Sequence, residues 1–124
     1  MIKTNISGLY IIDQKKIMDS RGKFIKPFSK DMIKKSINTN FKENYFTLSK
    51  KNVIRGIHYQ NKQGCEKLIY VLLGKIIDVV IDLRKNSKSY QKIFHIELSE
   101  DKNKSIYIPS GCGHAYKVIS KKAI

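Results

Sequence analysis

The stretch Ile76-Ile77-Asp78-Val79-Val80-Ile81-Asp82-Leu83 has the composition and alternation of a β-strand. Successive side chains of a strand point to opposite faces. Ile77, Val79, Ile81 and Leu83 therefore share one face, which is wholly apolar and is expected to pack in a core. Ile76, Asp78, Val80 and Asp82 share the other. Two readings of this mixed face stand open: it lines a polar cavity, or it is exposed with two solvated carboxylates. Gly74, just before the stretch, separates it from another apolar run and is expected to form a tight turn between neighbouring strands.

Outward from this segment, runs rich in β-branched and aromatic residues recur between clusters of Gly, Asn, Ser and Lys. They predict strands over Leu9–Ile12, Phe24–Phe28, Tyr45–Leu48, Val53–His58, Lys67–Leu73, Lys75–Leu83, Tyr90–Leu98, Ser105–Ile108 and His114–Ile119. Ser29 is a candidate cap for one short helix over Lys30–Ser36, with Asp31 in its first turn. Many short strands with regular turn signals predict an all-β, jelly-roll or cupin-like β-sandwich barrel with one short helix. The 124 residues suffice for a single domain spanning 1–124.

Composition narrows the function. No apolar run is long enough to span a bilayer, and the first residues lack the pattern of a secretory leader. Cys65 and Cys112 make no disulfide framework and are expected to be reduced thiols in a cytoplasmic protein. The net charge is +15, but the basic residues are scattered and only Arg21, Arg55 and Arg84 are arginines. Nucleic-acid recognition favours clustered, Arg-rich surfaces, so neither nucleic acid nor membrane is an expected partner. The positive field does favour an anionic small molecule.

Chemistry concentrates in Arg55-Gly56-Ile57-His58-Tyr59-Gln60, followed by Lys67. Imidazole moves protons near neutral pH, and Arg and Lys hold phosphates or developing oxyanions. His58 and Gln60 share a strand face. Arg55, three residues from His58, has the wrong parity unless the strand bulges near Gly56. His114 follows Pro109-Ser110-Gly111-Cys112-Gly113, a constrained loop that delivers it to the start of a strand. His95 lies on an alternating strand without polar neighbours and reads as structural. A metal centre would have to use His58, Glu66 and His114, but Gln60 stands where a second closely spaced imidazole would be needed.

Taken in order, five segments resemble the dTDP-4-dehydrorhamnose 3,5-epimerase family of nucleotide-sugar epimerases. They are Ser20-Arg21-Gly22-Lys23-Phe24, Arg55 to Gln60, Lys67-Leu68-Ile69-Tyr70-Val71 with Gly74, Asp78 to Ser87, and Ile108 to His114. The resemblance implies a dimeric jelly roll that needs neither metal nor other cofactor. Its substrate would be a 4-keto-6-deoxy sugar on a nucleotide diphosphate, with thymine, guanine or cytosine as the base. By the same resemblance His58 matches the catalytic base and Lys67 the group beside the C4 oxygen. Asp82 and His114 match residues that shape the sugar site. Arg21, Phe24, Arg55 and Gln60 match nucleotide-diphosphate and sugar contacts, and Thr47 and Ser49 match polar strand residues of the site.

The pattern departs from the family in places. Lys26 stands where Glu is frequent, Cys65 where Gln is common, and Tyr116 where Phe is usual. Tyr59, Tyr70 and Tyr116 are expected to pack in the core or wall. Relative to the family the sequence is shortened at its C-terminus, in the part carrying a Tyr proton donor and an Asp partner for the base. Three functions remain in play: an epimerase of reduced activity, a protein that binds a nucleotide sugar without turnover, and a metal-dependent cupin.

Overall fold

Alternation in the central strand sets the architecture. In the computed structural model, which describes residues 1–29, 37, 39, 41–60 and 65–124, the strand Lys75–Asp82 alternates between buried and half-buried side chains. Numbered in chain order, the strands are β1 (Ile2–Lys3), β2 (Tyr10–Asp13), β3 (Lys15–Asp19), β4 (Gly22–Lys26), β5 (Ser49–Lys50), β6 (Ile54–His58), β7 (Lys67–Tyr70), β8 (Lys75–Asp82), β9 (Ile93–Ser99), β10 (Lys104–Ile108), β11 (Cys112–Val118) and β12 (Lys122–Ala123). No helix occurs among the described residues, so none there is long and apolar enough to cross a membrane. The helix expected over Lys30–Ser36 lies outside them.

Two four-stranded sheets, ordered β1-β2-β10-β7 and β6-β11-β8-β9, form a sandwich. The pairs β5–β12 and β3–β4 form two smaller sheets. The described strands make an open sandwich rather than a closed barrel. Its core draws Ile106 and Ile108 from β10, Ile76 and Val80 from β8, Leu98 from β9 and Val118 from β11, together with Leu9 and Val71. A smaller apolar cluster lies on the other side of the first sheet, where Ile12 and Tyr107 pack with Tyr10, Leu68 and Phe41.

Three sequence expectations change. The buried face of β8 is the mixed one, Ile76, Asp78, Val80 and Asp82, while Ile77, Val79, Ile81 and Leu83 are only half-buried. Buried carboxylates are tolerated when hydrogen-bonded, and both of these are. Gly74 does not join neighbouring strands: β7 pairs with β10 in one sheet and β8 with β9 and β11 in the other. It is a crossover between layers, held in the left-handed region at φ 80°. Strand ends also shift. β4 starts at Gly22 and β9 at Ile93, β7 ends at Tyr70, and Ser49–Lys50 pair with β12 in place of the strand expected over Tyr45–Leu48. Charged β3 gave no hydrophobic signal, yet it pairs with β4 along its whole length.

The edge strand β6 carries the bulge that the spacing of Arg55 and His58 requires. His58 pairs with His114 and Arg55 with Tyr116, so three steps along β6 match two along β11. The extra residue is absorbed at Gly56, whose φ is 114°. A Cβ there would lie 2.6 Å from the His114 carbonyl oxygen and 2.7 Å from the Ala115 Cβ. Both strain and contact therefore demand glycine. Cross-strand partners share a face, so Arg55, His58, His114 and Tyr116 all project to the inner side with Asp78 and Val80.

At the far end of β8, Asp82 anchors the β8–β9 loop, which in turn holds the β1–β2 loop. Arg84 donates from Nε to Oδ1 at 2.8 Å and from Nη2 to Oδ2 at 2.8 Å, and its backbone amide donates to Oδ1. The Ser87 and Ser89 hydroxyls each donate to Oδ2 at 2.6 Å. Arg84 also donates to the Ser7 carbonyl, and Ser89 accepts from the Ser7 amide. Burial alone would raise the Asp82 pKa, but the hydrogen bonds from Arg84, Ser87 and Ser89 outweigh it and hold the carboxyl well below the usual range.

Two outcomes follow from these constraints. Gly56→Ala should lower stability by about 1–3 kcal/mol, the usual size of a strained backbone position. A urea midpoint equal to that of the unsubstituted chain would show that the bulge tolerates a side chain. For Asp82, the folded pKa lies below the unfolded value of about 3.9. The stability it contributes is therefore complete above that value and lost as the pH falls toward the folded one. Asp82→Asn should be the less stable form at neutral pH, with the two stability curves converging below about pH 4. Curves that stay parallel in acid would contradict the assignment.

Candidate functional site

The inner face of the β6-β11-β8-β9 sheet gathers most of the polar residues singled out from sequence. The His114 ring nitrogen Nε2 lies 2.8 Å from Asp78 Oδ2, and both side chains are almost completely buried. Asp78 Oδ1, equally buried, has no hydrogen-bond partner among the described residues. Burial raises the Asp78 carboxyl above its ordinary value, while the hydrogen bond from His114 and the charges of His114 and Lys67 pull against it. A buried acceptor left open in this way is a ready partner for a ligand hydroxyl or ammonium.

Beside this pair runs a chain of hydroxyl groups. Tyr116 Oη lies 2.9 Å from Thr47 Oγ1 and 3.3 Å from Ser49 Oγ, and Arg55 Nε donates to Ser49 Oγ at 3.1 Å. The Tyr116 ring stands 6.4 Å from the His114 ring, tilted by 37°. Thr47 and Ser49 therefore reach the site by fixing Tyr116 and Arg55. Arg55, His58 and Gln60 remain exposed, because β6 is the edge of its sheet and the inner face opens there.

Lys67 comes from the opposite layer. It shares strand parity with Ile69 and Val71, which pack in the core, so it too projects inward. Its charge is felt at Asp78 across the sandwich. At the mouth it lines a small pocket with Gln60, Cys65, Gly111 and Cys112. His58 and Lys67 thus stand on the facing inner surfaces of the two sheets.

Other candidates lie elsewhere. The resemblance gives Asp82 and His114 as residues that shape the sugar site; in the structure His114 bonds Asp78, and Asp82 is engaged by Arg84, Ser87 and Ser89. The reason is register: Asp78 pairs with Tyr116 and Val80 with His114, leaving Asp82 opposite Cys112 at the end of the sheet. Arg21 and Phe24 sit on the β3–β4 hairpin, which pairs with neither large sheet. There Arg21 Nη2 bonds Asp19 Oδ2 at 2.6 Å and Phe24 is exposed. Strand pairing within one chain does not bring these two residues to His58. Glu66 faces Tyr107 on the outer surface, so His58, Glu66 and His114 do not converge. Among the described residues no three His, Cys, Asp or Glu side chains are grouped to hold a metal. His95 is exposed on the outer face, opposite Val79.

Two residues of the site escaped the sequence reading. The sequence leaves Asp78 on a mixed face that either lines a polar cavity or is exposed, and it predicts that Tyr116 packs in the core or wall. The signal for Tyr116 was present, since it lies two residues from His114 on a strand and must share its face.

Comparison with known proteins identifies the family. A family model described as dTDP-4-dehydrorhamnose 3,5-epimerase matches residues 3–124. The enzyme of that name from Methanothermobacter thermautotrophicus is 32% identical over 124 residues, covering 99% of this chain and 67% of its own length. The crystal structure of dTDP-6-deoxy-D-glucose-3,5-epimerase from Legionella pneumophila, in complex with dTDP-4-keto-L-rhamnose, superposes with a TM-score of 0.93 at 35% identity, over 98% of this chain and 66% of that one. The dTDP-4-dehydrorhamnose 3,5-epimerase of Elizabethkingia anophelis gives a TM-score of 0.90 at 31% identity, over 98% and 68%. The chain thus spans about two thirds of the length of these relatives. A match over nearly its whole length, in both sequence and fold, places this chain in the dTDP-4-dehydrorhamnose 3,5-epimerase family.

Proposed function

We propose that the chain binds a dTDP-linked 4-keto-6-deoxy sugar and exchanges hydrogens alpha to its ketone. The observation that carries this reading is the placement of His58 and the His114–Asp78 pair on one inner face, with Lys67 projecting from the other. A C4 ketone acidifies the hydrogens on C3 and C5, so proton transfer alone interconverts the epimers. His58 takes the proton, and the electron pair of the broken C–H bond moves through the C3–C4 or C4–C5 bond onto the carbonyl oxygen. The Lys67 ammonium stabilises the resulting enolate. A proton delivered from water to the opposite face of the same carbon, while His58 releases its own proton to solvent, restores the ketone with inverted configuration.

The remaining groups act as binders. The open Oδ1 of Asp78 accepts a sugar hydroxyl. Arg55, steadied by Ser49, and Gln60 hold the diphosphate and sugar at the open edge. The expected test is exchange in deuterated water with dTDP-4-keto-6-deoxyglucose. Deuterium should appear at C3 or C5, and His58→Ala should slow its entry by about 10²–10⁴-fold. Saturable binding with no exchange at high protein concentration would leave a binding protein instead of an enzyme.

The functional unit in this reading is a homodimer. Ile54, Ile57 and Ile93 are each more than half exposed and lie with Ile77, Val79 and Ile81 on the outer face of the β6-β11-β8-β9 sheet. We read this apolar row, interrupted by His95, Glu97 and Lys117, as an interaction surface. A second copy covering it would account as well for the exposed Ile17, Met18 and Phe24 of the β3–β4 hairpin. Light scattering should return twice the mass of one chain, and Ile93→Glu should shift it toward one. A monomer at all concentrations would remove the dimer from the proposal.

A further inference from the structure

Two thiols face the same small pocket as Lys67. Cys65 precedes Lys67 by two residues and Cys112 opens β11, and both line the pocket with Gln60 and Gly111. They are brought together by topology. Lys67 pairs with Ile108 at the end of β10, and the short loop after Ile108 leads directly to Cys112 on the facing sheet. Both sulfurs are free, Cys65 exposed and Cys112 buried.

We propose that Cys65 and Cys112 form an oxidant-responsive pair that closes a disulfide across the mouth of the Lys67 pocket. The exposed thiol is the one a hydroperoxide can reach. Cys65 sulfur attacks the peroxide, the O–O bond breaks, and cysteine sulfenic acid and water are formed. The Cys112 sulfur then displaces hydroxide from the sulfenic sulfur, giving the disulfide and a second water as its own proton leaves. Two thiols are oxidised by two electrons in total, and one peroxide is reduced to two waters. Burial pushes the Cys112 thiol up to about 11, which protects it from direct oxidation, so it must give up its proton as it attacks the sulfenic sulfur. Substitution of Cys112 would then leave the Cys65 sulfenic acid to advance to sulfinic acid. The bridge would span the pocket that Gln60 and Lys67 line, so its effect on sugar binding rests on the function proposed above. The cross-link itself does not.

The experiment is thiol titration and peptide mass spectrometry on the full chain before and after hydrogen peroxide. Both titratable thiols should be lost, with the chain lighter by two hydrogen atoms. A peptide joining Cys65 to Cys112 should appear and be released by dithiothreitol. Cys65→Ser should protect the remaining thiol, and Cys112→Ser should yield sulfinic acid at residue 65. Two intact thiols, oxidation of Cys65 without a bridge in the unsubstituted chain, or a link only between separate chains would each overturn the proposal. If the bridge forms, substrate exchange measured before and after dithiothreitol should fall and recover. A chain that bridges but never exchanges deuterium contradicts the proposed epimerisation alone, and a chain that exchanges but never bridges contradicts the thiol pair alone.

Discussion

Two carboxylates on the buried face of one strand impose most of what is distinctive here. An ionised group inside a sandwich must be met by hydrogen bonds or charge, because desolvation otherwise outweighs anything its burial contributes. β8 puts Asp78 and Asp82 on that face, and the surroundings of each are built to meet this demand. Asp82 is met by its own downstream turn, through Arg84, Ser87 and Ser89. Asp78 is met by a single imidazole from the neighbouring strand, with one oxygen left over. The same residue type on the same strand thus yields a saturated structural clamp at one end and an open polar site at the other.

The site also depends on a local failure of regularity. In a perfect ladder Arg55 and His58 would point to opposite sides of β6. The bulge at Gly56 returns them to one side, in register with Tyr116 and His114. The backbone there approaches the neighbouring strand too closely for any Cβ. Bulges are found where a strand must re-aim a side chain, and this one lies at the sheet edge where the inner face opens. Function and backbone strain are in this respect the same feature.

Across the sandwich, Lys67 supplies positive charge to an interior that already holds the His114–Asp78 pair. Opposition of two sheets does what a single strand cannot: it places an ammonium on the far side of a cleft from the imidazoles. A two-layer architecture thus provides separate walls for groups that face one ligand from different sides.

Much of this was legible in the sequence. Strand type follows from period-two alternation, the bulge from the three-residue interval around Gly56, and the family from linked motifs that run the length of the chain. These depend on local chemistry, which the order of residues carries in full. The choice of buried face on β8 was not legible, because an apolar row and a mixed row both suit a strand, and the difference lies in partners remote along the chain. For the same reason Asp78, and not Asp82, is the companion of His114. A carboxylate's neighbour is chosen by the register of β8 against β11, and register is set by packing of whole sheets, a tertiary property that no local pattern contains.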